Sequence, residues 1–502
     1  MMSGVDIVKP TWLFDRDIEW DALARFAHMT GGARMALVYG RRRQGKTLLL
    51  DAFSQAVGGL VWQARQQSSA QNLKELARAW SAHPATQPAA VGADGAAPPG
   101  FGSWDDAFET ILSAPPGRPG FVVLDEFGYL LDAVPGLASV LQAHLTPARA
   151  REGATRLVLC GSAYAQMRAL LDARAPLRGR ASLDLVVRPF DPWQAAAFWG
   201  LDDNPRAAFS LHALVGGTPA YRDLVGEVPA RGDVARWAQR HLLNPASPLA
   251  REGRMLVAED PSLGDRALYL GVLGAIAEGA RRRGEIARTL GRPESSMSFP
   301  IEVLVASGWI EPVGDPLHDR RAQLQLAEPM ARTQRLLVEP NELRLGRPGQ
   351  TAADVWNDER ATIARLIDAP HMEMLAARWI AERAAPSTVG GTVDRVGPSL
   401  FAANDGRSQL DLVATERGVT SDRVLCVGEV KAGARLTGIA ELERLDVIVG
   451  RLAATPPRRR VAVGEVKRIL VARAGFTAEL VRASRARTDV ELVDLDRIYG
   501  GE

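Results

Sequence analysis

The chain has 502 residues, of which 46% are hydrophobic and 24% charged, enough for two to four domains with cores of their own. Its formal net charge of +2 does not advertise a polyanion-binding protein. No apolar run reaches the roughly 18 residues a membrane span requires, the first ten residues lack a basic stretch followed by an apolar core, and Cys160 and Cys426 each sit in an apolar run, as buried reduced thiols would. The expectation is a cytoplasmic protein that does not enter a membrane.

Lysine is scarce: only Lys9, Lys46, Lys74, Lys431 and Lys467 interrupt a chain that otherwise writes arginine. A lysine inside a motif is then a choice for its compact ammonium.

In chain order, an amphipathic helical stretch over Trp20–Ala27 leads into the apolar run Met35-Ala36-Leu37-Val38-Tyr39, which reads as a buried parallel strand. Gly40-Arg41-Arg42-Arg43-Gln44-Gly45-Lys46-Thr47 follows and fits G-x-x-x-x-G-K-[ST], with Leu48, Leu49 and Leu50 opening a helix. The two glycines let the backbone curl so that its N–H groups face phosphate oxygens, and the helix adds its positive end. Lys46 is placed to reach the β- and γ-phosphates of ATP, and Thr47 to offer its hydroxyl to Mg²⁺.

Residues 60–64 read as a second strand, 66–80 as a helix, and 83–102, rich in Pro, Ala and Gly, as a surface loop before helical spacing returns at 104–112. Gly120-Phe121-Val122-Val123-Leu124-Asp125-Glu126-Phe127 is a third strand that ends in two carboxylates. Asp125 suits the Mg²⁺ shell, and Glu126 suits the general base on the attacking water. The fourth strand, Arg156-Leu157-Val158-Leu159-Cys160-Gly161, ends at Ser162. Its hydroxyl is a candidate to sense the γ-phosphate or orient water; the alternative is a cap on the next helix. Arg178 and Arg180 are candidates for an arginine finger, the alternative being solvated side chains. A strand over 183–187 closes the alternation, which predicts an open parallel sheet over residues 11–190.

Residues 191–262 are strand-poor and alanine-rich and read as a helical lid. Residues 263–335 read as a winged helix: helices over 268–277 and 284–290, a recognition helix over 295–306, and wing strands over 309–313 and 322–326. Arg281, Arg282, Arg283, Arg292, Arg320 and Arg321 cluster around it, as contacts to DNA phosphates or as the charged surface of a plain packing module. Residues 336–365 read as a linker running into a helix.

The last segment, 366–502, holds a second constellation. A helix begins at Ala369 and bears Glu373; one strand carries Asp411, another Glu429 and Lys431 on a single face. If the two strands pair as a hairpin, Asp411 and Glu429 can share Mg²⁺ or Mn²⁺ with Glu373 as a further ligand, and Lys431 can orient the water. A half-exposed hairpin with ordinary surface charges is the alternative.

Together these stretches resemble the archaeal-type ATPases, P-loop proteins with AAA-like or STAND-like features, through Phe14-Asp15-Arg16, the 39–47 loop, Leu124-Asp125-Glu126-Phe127, Cys160-Gly161-Ser162, Pro176-Leu177-Arg178-Gly179-Arg180 and Gly216-Gly217-Thr218-Pro219-Ala220-Tyr221. The end of the chain resembles the PD-(D/E)XK nuclease-like domain often joined to them, through Glu373, Asp411, Glu429 and Lys431, with Gln409 and Met372 departing from the usual pattern. The resemblance implies an α/β protein: a P-loop NTPase sheet, lid, winged helix and nuclease-like α/β domain. It implies ATP hydrolysis tied to a DNA-directed nuclease-like domain, with a protein partner or homo-oligomer in view. Its rivals are a regulatory switch ATPase whose last domain binds without cutting and a winged-helix transcription regulator.

Overall fold

The computed structural model describes residues 7–86 apart from 30 and 32, then 100–113, 119–146, 155–258, 263–347, 349, 351–403, 406–418, 421–454 and 461–500. Most of the Pro/Ala/Gly-rich loop expected over 83–102 lies outside the described residues. The chain divides into two compact units, one running to residue 189 and one from residue 190 onward. The segments 191–258, 263–335 and 366–500 therefore share one unit.

The first unit opens with α1 (Asp17–His28), β1 (Met35–Tyr39), α2 (Lys46–Val57) and β2 (Leu60–Gln63). It continues through α3 (Ser69–Ala82), α4 (Trp104–Leu112), β3 (Phe121–Asp125), α5 (Phe127–Ala133) and α6 (Leu137–His144). It ends with β4 (Arg156–Gly161), α7 (Tyr164–Ala169) and β5 (Ala181–Val186). The strands make a parallel sheet in the order β2-β3-β4-β1-β5. Both faces are covered, which is why the strands read as unbroken apolar runs. Met35, Leu37, Leu124 and Leu159 face one core with Phe108 and Ile111. Ala36, Val38, Val123 and Cys160 face the other with Trp20, Phe26 and Phe53. Helix α3 starts at a capping box, in which the Ser68 side chain accepts from the Gln71 N–H and Gln71 reaches back to the Ser68 amide.

The second unit begins with five helices and no strand: α8 (Pro192–Phe198), α9 (Pro205–Val215), α10 (Ala220–Val225), α11 (Val234–His241) and α12 (Leu249–Ala258). The motif Gly216–Tyr221 packs this region: a Cβ on Gly217 would sit 1.8 Å from the Phe190 carbonyl oxygen, so only glycine fits. Then come α13 (Arg266–Ala277), α14 (Arg283–Thr289), α15 (Ser298–Ala306) and the antiparallel hairpin β6 (Ile310–Asp315) and β7 (His318–Leu326). This is the three-helix and two-strand order expected there.

Residues 336–365 differ from the expected linker. After α16 (Pro329–Thr333), helices α17 (Glu342–Leu345), α18 (Ala352–Asp358) and α19 (Arg360–Thr362), with π-turns over 334–338 and 363–368, occupy the stretch. The reason is apolar burial: Leu336, Leu337, Val338, Val355, Ile363 and Ile367 enter the same core as the helices before them.

The remainder comprises α20 (Ala369–Glu382), α21 (Pro386–Val389), β8 (Arg395–Ala403), β9 (Gly406–Glu416), β10 (Asp422–Lys431), α22 (Ile439–Ala454), β11 (Val461–Ala472), α23 (Ala478–Arg485), β12 (Val490–Val493) and α24 (Leu495–Gly500). Its sheet order is β12-β11-β10-β9-β8, antiparallel from β8 to β10 and parallel from β10 to β12. The expected hairpin is present, with Leu412 opposite Gly428, so Asp411 and Glu429 are the next positions along the pair. Both cysteines are free and buried.

Candidate functional site

In the first unit, the C-terminal ends of β1, β3 and β4 lie together, because β4 pairs with both of its neighbours. In open parallel sheets that edge is where ligands bind. The loop Gly40–Gly45 leaves β1 there, and Gly45 turns into α2 with φ 85°. A Cβ on Gly40 would stand 2.2 Å from the Val187 carbonyl oxygen and 2.8 Å from Gln44 Oε1. The loop thus packs its own backbone where a side chain cannot go, a cradle that requires glycine. The first amides of α2 have no partner inside their helix and face the loop mouth.

Lys46 is buried, and its Nζ donates to the carbonyls of Gly40 at 2.7 Å and Arg41 at 2.9 Å. Burial pulls its pKa down; the nearby Cys160, Glu126 and Asp125 act in the opposite sense. Thr47 Oγ1 donates to Asp125 Oδ2 at 2.7 Å. Asp125, at the end of β3 and 1% exposed, accepts the Glu126 N–H on its other oxygen at 2.9 Å. Glu126 takes a left-handed backbone, φ 50°, which turns it off the strand line. Both its carboxylate oxygens accept from Ser162 Oγ, at 3.1 and 2.9 Å. Five of the expected residues, Lys46, Thr47, Asp125, Glu126 and Ser162, are therefore brought together. A hydroxyl paired with a carboxylate at the loop mouth is a hard-oxygen set that fits Mg²⁺.

The other loop residues form the wall. Gln44 is buried, Leu48 is 53% exposed, Arg41 and Arg43 are half-buried, and Arg42 Nη2 donates to Tyr129 Oη at 2.8 Å. The structure does not bring Arg178 and Arg180 into this constellation through any hydrogen bond described: Arg178 Nη1 donates to the Ala173 carbonyl at 2.8 Å, and Arg180 Nη1 to that of Leu145 at 3.2 Å.

Arg16 is the participant whose role sequence reasoning missed. It is buried, with Nη2 donating to the Gln44 carbonyl at 2.9 Å and Nη1 to Glu19 at 2.9 Å. It ties the segment bearing Trp12 and Phe14 to the loop. The signal was the Phe14-Asp15-Arg16 stretch itself, which carries no hint of its partner.

In the second unit, Asp411, Glu429, Lys431 and Glu373 fall in one neighbourhood, but the expected metal set does not form. Glu429, 5% exposed, accepts on Oε1 from Lys431 Nζ at 3.0 Å and from Arg444 Nη1 at 2.9 Å. Asp411 Oδ2 accepts the Val430 N–H at 3.0 Å. Glu373 is paired with Arg281 at 3.1 Å. Among the described residues, no three His, Cys, Asp or Glu side chains converge as a metal ion would need. The cause is local pairing: each carboxylate already meets a cation or an amide. Burial raises the pKa of Asp411 and of Glu429, and for Glu429 the neighbouring Asp411 adds to the rise.

No family model matches the sequence, and no curated protein matches it. Solved structures give partial matches. A Walker-type ATPase of Pyrococcus abyssi is 20% identical over 64% of this chain and 95% of its own, with a TM-score of 0.49. The ORC2 protein of Aeropyrum pernix, solved as ADPNP and ADP complexes, is 16% identical over 71% and 98%, with a TM-score of 0.38. The RuvB Holliday junction branch migration motor of Thermotoga maritima is 14% identical over 61% and 93%, with a TM-score of 0.31. The strand order and the glycine loop entering α2 make the first unit a P-loop NTPase fold.

Proposed function

We propose that the chain binds ATP with Mg²⁺ at the 40–48 loop and hydrolyses it, and that it works as a switch on DNA rather than as a cutter. The observation that supports the first part is the meeting of Lys46, Thr47, Asp125, Glu126 and Ser162 at one sheet edge. The loop amides and the start of α2 take the phosphates. Lys46 exchanges its two loop carbonyls for phosphate oxygens, which suits a buried ammonium better than neutral acceptors do. Thr47 and Asp125 would hold Mg²⁺, which when bound neutralises phosphate charge. Glu126 takes the proton of the attacking water, and Ser162 holds that carboxylate in place. We assign no arginine finger: Arg178 bonds back to Ala173 in its own turn, and Arg180 reaches the Leu145 carbonyl after α6.

The PD-(D/E)XK-like layout of Asp411, Glu429 and Lys431 on adjacent strands fits a domain descended from nucleic-acid handling. Carboxylates that fail to converge favour the reading in which it binds without cutting. We read 263–335 as a winged helix. Helix α15 has no lysine, arginine, asparagine or glutamine to read base edges, and it exposes Phe299 and Glu302. Arg282, Arg288 and Arg292 are exposed beside it and suit phosphates instead.

The test is steady-state phosphate release. Glu126→Gln should bind ATP as the wild type does and lose roughly 10²–10⁴-fold in rate. Wild-type turnover in that variant would remove Glu126 from the chemistry. Metal-dependent nicking of plasmid DNA by the wild type would overturn the non-cutting reading.

A further inference from the structure

We infer that Arg444 stands where a divalent cation would stand in the second unit's carboxylate cluster, so that this sheet carries a tethered positive charge in place of a bound metal. The inference rests on the non-cutting reading and supplies its physical cause.

A carboxylate as buried as Glu429 must be compensated, because an unpaired buried charge is costly. Here one oxygen, Oε1, receives two cations: Lys431 Nζ at 3.0 Å and Arg444 Nη1 at 2.9 Å. The same two cations face Glu441 Oε2, at 3.2 and 3.8 Å. Two carboxylates, Glu429 and Glu441, thus share two positive charges, the charge a divalent ion would bring, and Asp411 lies near enough to feel both cations.

Arg444 reaches this place because of its helix. Leu442, Leu445 and Ile448 bury the inner face of α22 in the core that also holds Val424 and Val427 of β10. Arg444 stands between two of those anchors, three residues after Glu441, the spacing that sets two side chains side by side. Its guanidinium is therefore pre-placed, and little conformational entropy is lost in holding it. Magnesium sheds its water reluctantly and demands near-octahedral oxygen donors. It would have to displace a cation already fixed. Glu429 Oε2 is buried without a hydrogen-bond partner, and it is the acceptor that removal of Arg444 would leave for an ion.

The experiment is a Mn²⁺ titration of the full-length, nucleotide-free protein, with free Mn²⁺ read by electron paramagnetic resonance. Six forms are compared: wild type, Arg444→Ala, Arg444→Gln, and each of these carrying Glu429→Gln. Arg444 is half exposed on its helix and Lys431 still pairs with Glu429 when it is replaced, so both Arg444 variants should melt close to the wild-type temperature. The expected result is that Glu429→Gln changes nothing in the wild-type titration. Arg444→Ala and Arg444→Gln each gain a stoichiometric Mn²⁺ site, which Glu429→Gln removes. If the wild type already takes up Mn²⁺ that Glu429→Gln abolishes, the inference fails and the non-cutting reading fails with it. If both Arg444 variants melt like the wild type and gain no site, the inference alone fails and the non-cutting reading stands.

Discussion

At the scale of single residues, the nucleotide site depends on hydrogen bonds whose loss separates binding from chemistry. Ser162 touches Glu126 and not the phosphate loop. Ser162→Ala should therefore slow phosphate release roughly tenfold or more while leaving the calorimetric ATP affinity unchanged, since a hydrogen bond to a charged group contributes about 1.5–3 kcal/mol. Equal losses in rate and affinity would show that Ser162 contacts the nucleotide instead. Arg16 is different, because it braces the loop from behind. Arg16→Ala should lower unfolding stability by about 2 kcal/mol in urea, by the same measure, and weaken ATP binding with it. Of this site, Lys46, Thr47, Asp125 and Glu126 were legible in the sequence, because each sits at a fixed offset from an apolar strand. Arg16 was not: its bond to Gln44 joins residues 28 apart in sequence and depends on a left-handed backbone, φ 66°, that an arginine does not announce. The same limit explains the carboxylate cluster. Alternation along β10 placed Glu429 and Lys431 on one face, but the partner of each carboxylate comes from elsewhere: Arg281 for Glu373 and Arg444 for Glu429.

At the scale of elements, the strands of the first unit were read well because burial on both faces leaves an unbroken apolar run, whereas β8, β11 and β12 of the last sheet were not read. The segment 336–365 was read as a linker, because its two glycines and two prolines outweighed an apolar pattern split among short helices. Helices α9 and α20 meet through a buried pair, His212 Nδ1 and His371 Nε2 at 3.1 Å. Such a bond needs one ring nitrogen without a proton, so both rings cannot be charged. Burial pulls the His212 pKa from 6.5 down to about 4 and that of His371 well below its ordinary value. Between those limits the unfolded chain binds protons that the native one does not. Stability present above about pH 6.5 is therefore lost as pH falls toward 4. Urea midpoints should decline over that window, and His212→Phe should make the decline shallower. A midpoint that holds steady, or a variant with the wild-type slope, would contradict the assignment. At α14, the exposed Arg288 and the N-cap Arg282 are proposed to meet phosphates rather than bases. Replacing either by alanine should weaken binding to all duplex sequences alike and lessen the slope of log affinity against log salt by about 0.9. Loss confined to one sequence would argue for base contacts.

At the scale of the molecule, two units each bury their own cores, and no described helix is long and apolar enough to cross a membrane. A ligand that binds only the native first unit stabilises it by mass action, about 2.7 kcal/mol at a hundredfold excess over its dissociation constant. ATP with Mg²⁺ should thus raise the melting transition of that unit in the wild type and not in Lys46→Ala. The central claim, that main-chain amides and one ammonium at the end of β1 hold a triphosphate, is tested most directly by isothermal titration of Mg²⁺–ATP into the folded protein. The account predicts saturable heat with one site per chain in the wild type and none in Lys46→Ala. No heat in the folded wild type, or an undiminished isotherm in Lys46→Ala, would contradict it.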